Sequence, residues 1–159
     1  MSTLAIRAVP FADADVQMLV AEVQQEYVAR YGGPDRSPLE PGVFDAPLGA
    51  FFVGCVAGSP VAMGGWRIRG DVHPWGRLRA AEVKRMYVVP AARGHGHARA
   101  MLAHLERTAL PAGADAIVLE TGTAQPEAMA LYTSSGYQSI DKFGYYADSP
   151  RSRCFGKPL

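Results

Sequence analysis

The stretch "MYVVPAARGHGHARAML", residues 86–102, decides how this chain folds: an apolar run stops at a proline, a turn with two glycines follows, and an amphipathic segment begins. The run closes "RLRAAEVKRMYVV" (77–89), which reads as a long strand. Ala98, Met101, Leu102 and Leu105 recur at helical spacing, so a helix is expected from about Gly94 to Ala109. A strand that turns directly into a helix leaves the first-turn N–H groups without partners, at the positive end of the helix dipole. Gly94 and Gly96 let a ligand approach those amides without meeting a Cβ, and Arg93 and Arg99 can add charge-assisted hydrogen bonds. The combination suits a phosphate or pyrophosphate. It is neither a P-loop, since no Gly-Lys-Ser/Thr follows, nor the three-glycine dinucleotide fingerprint. A metal site is not expected: His95 and His97 would point to different sides of a helix start, and His104 lies two turns beyond.

Working outward, "TLAIRAV" (3–9) alternates as a first strand does, and Asp13 can cap a helix whose stripe is Val16, Leu19, Val20, Val23 and Tyr27. "GGPDRSPLEPGVFDAP" (32–47) holds four prolines and excludes a regular helix or central strand, with room for one short helix. A connection of this length is either a functional loop or a solvated linker. "GAFFVGCVA" (49–57) and "VAMGGWRIRG" (61–70) flank a Gly-Ser-Pro turn as a hairpin. "DAIVLET" (115–121) reads as a strand buried on both faces, and a helix follows from Pro126 to about Ser135, with Gly136 at its end. "YQSIDKF" and "SRCFGKPL" are candidate closing strands. The expected fold is a single α/β domain over residues 1–159, a mixed β-sheet with helices on both faces.

Composition narrows the function classes. A net charge of +1 with no block of like charge argues against nucleic acid as a partner. No apolar run is long enough for a bilayer and the N-terminus lacks a signal-like apolar core, so no membrane partner and a cytoplasmic location are expected. Cys55 and Cys154 match no metal or redox spacing and are expected as reduced thiols.

"EVKRMYVVPAARGHGHARAML" resembles the acetyl-CoA-binding segment of the GNAT family of N-acetyltransferases, in which a strand leads through Arg/Gln-x-x-Gly-x-Gly/Ala into a helix; Arg93, Gly96 and Ala98 fall on that pattern. A second family motif, Asn-x-x-Ala-x-x-Leu-Tyr followed by a Gly-aromatic pair, is similar to "QPEAMALYTSSGY", with Gln125, Ala128, Leu131, Tyr132, Gly136 and Tyr137 on its positions. Gln125 stands where asparagine is usual, which puts its contact with the cofactor arm in question. The resemblance implies acetyl-CoA as co-substrate, with pyrophosphate on the amides of Gly94, His95, Gly96, His97, Ala98 and Arg99. It also implies a pantetheine arm added in strand fashion along Met86 and Val88.

The resemblance places Tyr132 as the proton donor to the departing thiolate, a role its ordinary pKa near 10 allows at neutral pH. The Val88 amide is a candidate donor to the thioester carbonyl. Glu82 and Glu120 are both candidate general bases; either could instead be an ion-pair partner of neighbours such as Lys84 or Arg85. Some members of such a family receive a neutral amine and need no base. Tyr27, Tyr31, Tyr145 and Tyr146 beside Arg30 are candidates for a small-molecule pocket, or simply finish the core. The implied activity is acetyl transfer to a primary amine of a small molecule by a monomer or homodimer, the alternative being an acetyl-CoA sensor that binds without turnover.

Overall fold

The computed structural model describes residues 3–159. β1 (Ala5–Ala8) leads to α1 (Ala14–Tyr31), whose N-cap Asp13 accepts from the Asp15 N–H and whose C-cap Gly32 takes a left-handed φ of 81°. The proline-rich segment contains one 3-10 turn, Pro41–Phe44. β2 (Gly49–Val56), β3 (Ser59–Arg69) and β4 (Ala80–Val88) follow, then α2 (His97–Ala109), β5 (Ala116–Gly122), α3 (Pro126–Ser134), β6 (Gln138–Ser139) and β7 (Ser152–Pro158). The seven strands form one mixed sheet in the order β1-β2-β3-β4-β5-β7-β6.

Alternation along β2 sends Phe51 and Val53 to one face and Phe52 to the other, and each face gains its own helix. Val16, Leu19 and Val23 of α1 pack with Phe44, Phe51, Val53, Met63 and Tyr87. Met101, Leu102 and Leu105 of α2 pack on the opposite face with Phe52, Ala62, Trp66 and, from α3, Tyr132. The expected mixed sheet with helices on both faces is the one found.

Several boundaries differ from the sequence reading. The β2–β3 turn is shorter than the expected Gly-Ser-Pro, since Ser59 and Pro60 already pair with Val56 and Cys55. The long strand begins at Ala80, not 77: a 3-10 turn at Pro74–Gly76 precedes it, and the carboxylate of Asp115 binds the N–H groups of Leu78 and Arg79 before the ladder starts. α2 begins at His97, because Gly96 is its N-cap at φ 81°. Of residues 137–143 only Gln138 and Ser139 join the sheet. Cys55 and Cys154 are free thiols, and no described helix is long and apolar enough to cross a membrane.

One irregularity positions everything that follows. β4 and β5 run parallel and pair only at Ala80↔Ala116, Ala81↔Ile117 and Glu82↔Val118. Beyond that point they part. The register between β3 and β4 shifts at Met63/Gly65, and Arg85, opposite the shift, has φ 58°. A bulge of this kind bends its strand and sharpens the twist, which turns the end of β4 away from β5. The other edge of β5 stays paired with β7 from Ala116↔Pro158 to Gly122↔Ser152.

Candidate active site

The turn into α2 is built from bare backbone. Gly94 and Gly96 have φ of 82° and 81°, the left-handed region that an L side chain enters only with strain, and a Cβ at either would meet nothing within 4 Å. Among the described residues no acceptor is found for the N–H groups of residues 94–99; the first bond of the helix runs from the Ala100 N–H to Gly96 O. His95 is exposed, His97 is buried at the helix start, Ala98 is half-buried and Arg99 is exposed. The Arg99 guanidinium reaches Ser134 and Ser135 at the end of α3, at 2.8 and 3.0 Å. Arg93 does not point into the turn: its Nε donates to Val88 O at 2.9 Å and its Nη2 to Glu26 at 2.6 Å, which anchors the turn to α1.

The opening between β4 and β5 begins where this turn ends. The Val89 N–H donates to Val61 O on β3, so strand alternation aims the N–H and C=O of Val88 the other way, into the opening. Met86 and Val88 have side chains in the α2-side core, together with Tyr132. Tyr132 packs near Tyr137 and Phe155, with ring centroids 5.8 and 6.1 Å away. Burial raises its pKa well above the ordinary tyrosine value, so its hydroxyl keeps its proton throughout the physiological range.

On the α1 side the opening widens into a cavity of about 370 Å3. Tyr27 and Tyr31 of α1 form one wall; Glu82, Lys84 and Arg85 of β4 face Glu120 and Gly122 of β5. Tyr31 comes so close to β5 that a Cβ on Gly122 would lie 2.0 Å from its hydroxyl oxygen, and it donates to Gln125 Oε1 at 3.1 Å. The roof is the proline-rich loop, and Asp35 fixes it. Asp35 pairs with Arg85 in the β4 bulge and accepts from the Ser37 N–H at 2.8 Å and the Tyr146 hydroxyl at 3.1 Å. Its own N–H donates to Gln24 of α1 at 2.8 Å. Burial works to raise the Asp35 pKa, but the charge of Arg85 and the Ser37 hydrogen bonds outweigh it and hold the carboxyl below its usual range.

The two glutamates at the cavity are in opposite states. Glu82 is 3% exposed and its Oε1 accepts from Arg67 at 3.0 Å and Arg69 at 3.2 Å, with Lys84 3.9 Å from Oε2. Arg67 is its cross-strand partner in the β3–β4 register. Glu120 has no hydrogen bond or ion pair among the described residues; burial pushes its pKa up to about 7, Lys84 opposing and Asp35 and Glu82 adding. A carboxylate whose pKa lies near neutrality is placed to take and return a proton.

The structure thus gathers Glu82, Glu120 and Gln125 at the α1-side cavity and keeps Met86, Val88 and Tyr132 on the α2 side. Of the aromatic set, Tyr27, Tyr31 and Tyr146 line the cavity, whereas Tyr145 is 60% exposed and outside it. Arg30 is also outside, held by Glu127 at 2.6 Å and Ala124 O at 2.7 Å. Asp35, Arg85 and Ser152 are cavity residues that sequence reasoning missed. No group of three His, Cys, Asp or Glu side chains among the described residues is placed to hold a metal ion.

The profile of the acetyltransferase (GNAT) family matches residues 16–137. The chain belongs to that family. An IAA acetyltransferase of Azospirillum brasilense is 44% identical over 78 residues, which span 49% of this chain and 51% of that protein, so the match reaches about half of the relative's length. Among solved structures, an acyl-CoA N-acyltransferase of Klebsiella pneumoniae aligns with TM-score 0.76 and 29% identity, covering 99% of this chain and 98% of its own. The ribosomal-protein-S18-alanine N-acetyltransferase of Escherichia coli aligns with TM-score 0.67 over 99% of this chain and 94% of its own. At 19% identity that likeness is one of fold. The GNAT match spans both the amide turn and the α3 motif.

Proposed function

We propose that the protein is an acetyl-CoA-dependent N-acetyltransferase whose acceptor is the primary amine of a small molecule. The observation that carries the reading is the β4–β5 opening, with unpartnered amides on one side and Glu120 at a cavity on the other. The residues present fit acetyl-CoA. The amides of residues 94–99 form a cradle for pyrophosphate with nothing above the glycines, and the backbone of Met86 and the N–H of Val88, whose carbonyl is held by Arg93, lie where the pantetheine arm and thioester would pass. When bound, acetyl-CoA supplies an acetyl group activated as a thioester. Glu120 would take one proton from the incoming ammonium and free the amine to form the C–N bond, with the Val88 N–H polarising the thioester carbonyl; as the C–S bond breaks, the Tyr132 hydroxyl would give its proton to the sulfur and recover one from the nitrogen, which sheds it on becoming an amide. Glu82, engaged by two guanidinium groups, holds the cavity wall and is not the base. Gln125 Oε1 already accepts from Tyr31, which leaves its amide N–H groups and one further lone pair for the cofactor arm.

A small acceptor is favoured by the roof: the Asp35 contacts tie the proline-rich loop over the cavity. The test is calorimetric titration with acetyl-CoA, followed by thiol release against a panel of primary amines from pH 6 to 9. Binding together with amine-dependent thiol release, rising with pH through about 7, supports the reading. Binding with no thiol release for any amine would favour a cofactor sensor instead.

A further inference from the structure

The cavity over Glu120 carries cationic groups that its own carboxylates do not use. Asp35 is committed to Arg85, Ser37 and Tyr146. Glu82 is neutralised from behind the wall by Arg67 and Arg69, neither of which lines the cavity. Arg36, from the roof, and Arg151, from the segment before β7, are exposed residues that both line it, and neither guanidinium makes an ion pair or hydrogen bond among the described residues; the bonds these two residues make are made by their backbone groups. Lys84 stands on the same wall, 3.9 Å from Glu82 and close enough to act on Glu120. Once Glu120 has accepted a proton it is neutral, and the surplus of positive charge grows.

Such a lining selects by charge. A polyamine would bring further cations to a cationic site, and a plain alkylamine would leave both arginines with nothing to hold. A carboxylate satisfies them, because the planar guanidinium fork matches its two oxygens. We propose that the acceptor is a small amino acid, its amine directed at Glu120 and its carboxylate held by Arg36 and Arg151. This rests on the acetyltransferase reading above and narrows it to one class of amine. The cavity volume of about 370 Å3, with Tyr27, Tyr31 and Tyr146 as walls, accommodates a molecule of that size.

The test measures binding separately from turnover. α- and ω-amino acids, each beside its own carboxamide, are titrated calorimetrically into the full chain saturated with CoA. At least one acid is expected to bind about tenfold more tightly than its amide, as a charge-assisted contact at a partly solvated site predicts. In the Arg36→Ala/Arg151→Ala double variant that preference should collapse to within about twofold, and Arg36→Lys/Arg151→Lys should restore part of it. Equal binding of acids and amides, no binding of any amino acid, or a preference that survives the alanine variant would overturn the proposal. Thiol release on the same panel bears on the acetyltransferase reading alone: an amino acid that binds with the predicted preference but is never acetylated would sink that reading and leave the carboxylate site standing.

Discussion

On one side of the β4–β5 opening the unpartnered polar groups are backbone amides from six consecutive residues, 94–99; on the other the cavity is lined by side chains drawn from α1, the proline-rich loop, β4, β5 and the segment before β7. The first side is a local object. A strand, two left-handed glycines and a helix start suffice to make it, and no distant residue has to arrive. The second is made by tertiary structure: Arg85 meets Asp35 across 50 residues and Tyr146 meets it across 111. The two sides should therefore fail in different ways when altered.

The backbone side should fail completely. Gly96→Glu puts a side chain and a negative charge over the bare amides at a position whose φ of 81° already disfavours it. Acetyl-CoA affinity is expected to fall by roughly 1000-fold, whereas Gly96→Ala, which adds strain without charge, should cost only about tenfold. Both are read by calorimetry, with circular dichroism to establish folding. Loss of binding in neither variant would mean that the turn is not where the phosphates sit.

The side-chain side should lose chemistry while keeping the cofactor. Glu120→Gln is expected to lower kcat by about 100-fold with acetyl-CoA affinity unchanged, the range typical of a positioned general base. In the native protein kcat/KM should rise with pH through about 7, since the base acts only when ionised, and the variant should lose that limb. Stability gives an independent reading. The folded state holds the Glu120 proton more tightly than the unfolded chain, so ionising it costs stability as pH rises from the ordinary value of 4.5 to about 7. Glu120→Gln removes that cost and should stabilise the protein by about 1–2 kcal/mol at pH 8, allowing for solvent screening, with little change at pH 4. A variant both slower and more stable is what distinguishes a poised base from a packing residue.

Tyr132 stands at the junction of the two sides, buried in the α2-side core with no hydrogen-bond partner among the described residues. Tyr132→Phe keeps the packing and deletes the donor. A reduction in turnover of about tenfold is expected, smaller than for Glu120, because a thiolate with a pKa near 8.5 leaves without much help. Unchanged turnover in steady-state kinetics would remove Tyr132 from the mechanism.

The same division explains what the sequence disclosed. The turn, the α3 motif and the order of the elements were legible because each depends on spacing within a few residues. The competition between Glu82 and Glu120 was not. Lys84 and Arg85 are the neighbours that sequence offers to Glu82, but Arg85 goes to Asp35, and the guanidinium groups on Glu82 come from Arg67 and Arg69 on β3. That assignment follows from the β3–β4 register and the bulge that sets it, and neither can be read from residue types. Gln125 shows the same limit: its contact with Tyr31, from a helix 94 residues away, is not legible in the motif that carries it.

The gentlest probe of the comparison is the roof itself. The Tyr146 hydroxyl donates to Asp35 at 3.1 Å and accepts from the Arg36 N–H at 2.8 Å, so it joins the loop to the segment before β7 without touching the turn into α2. Tyr146→Phe deletes both bonds but keeps the ring against Tyr145, whose centroid lies 4.8 Å away. Asp35 retains Arg85 and Ser37, so the loop stays attached, less firmly. The expected result is a KM for the acceptor raised about threefold, the size of a partly solvated hydrogen-bond pair, with acetyl-CoA affinity and kcat near their native values. A change in acetyl-CoA affinity as large as the change in KM would mean that the two sides are mechanically joined, and that the separation of backbone-built and side-chain-built halves is one of position only.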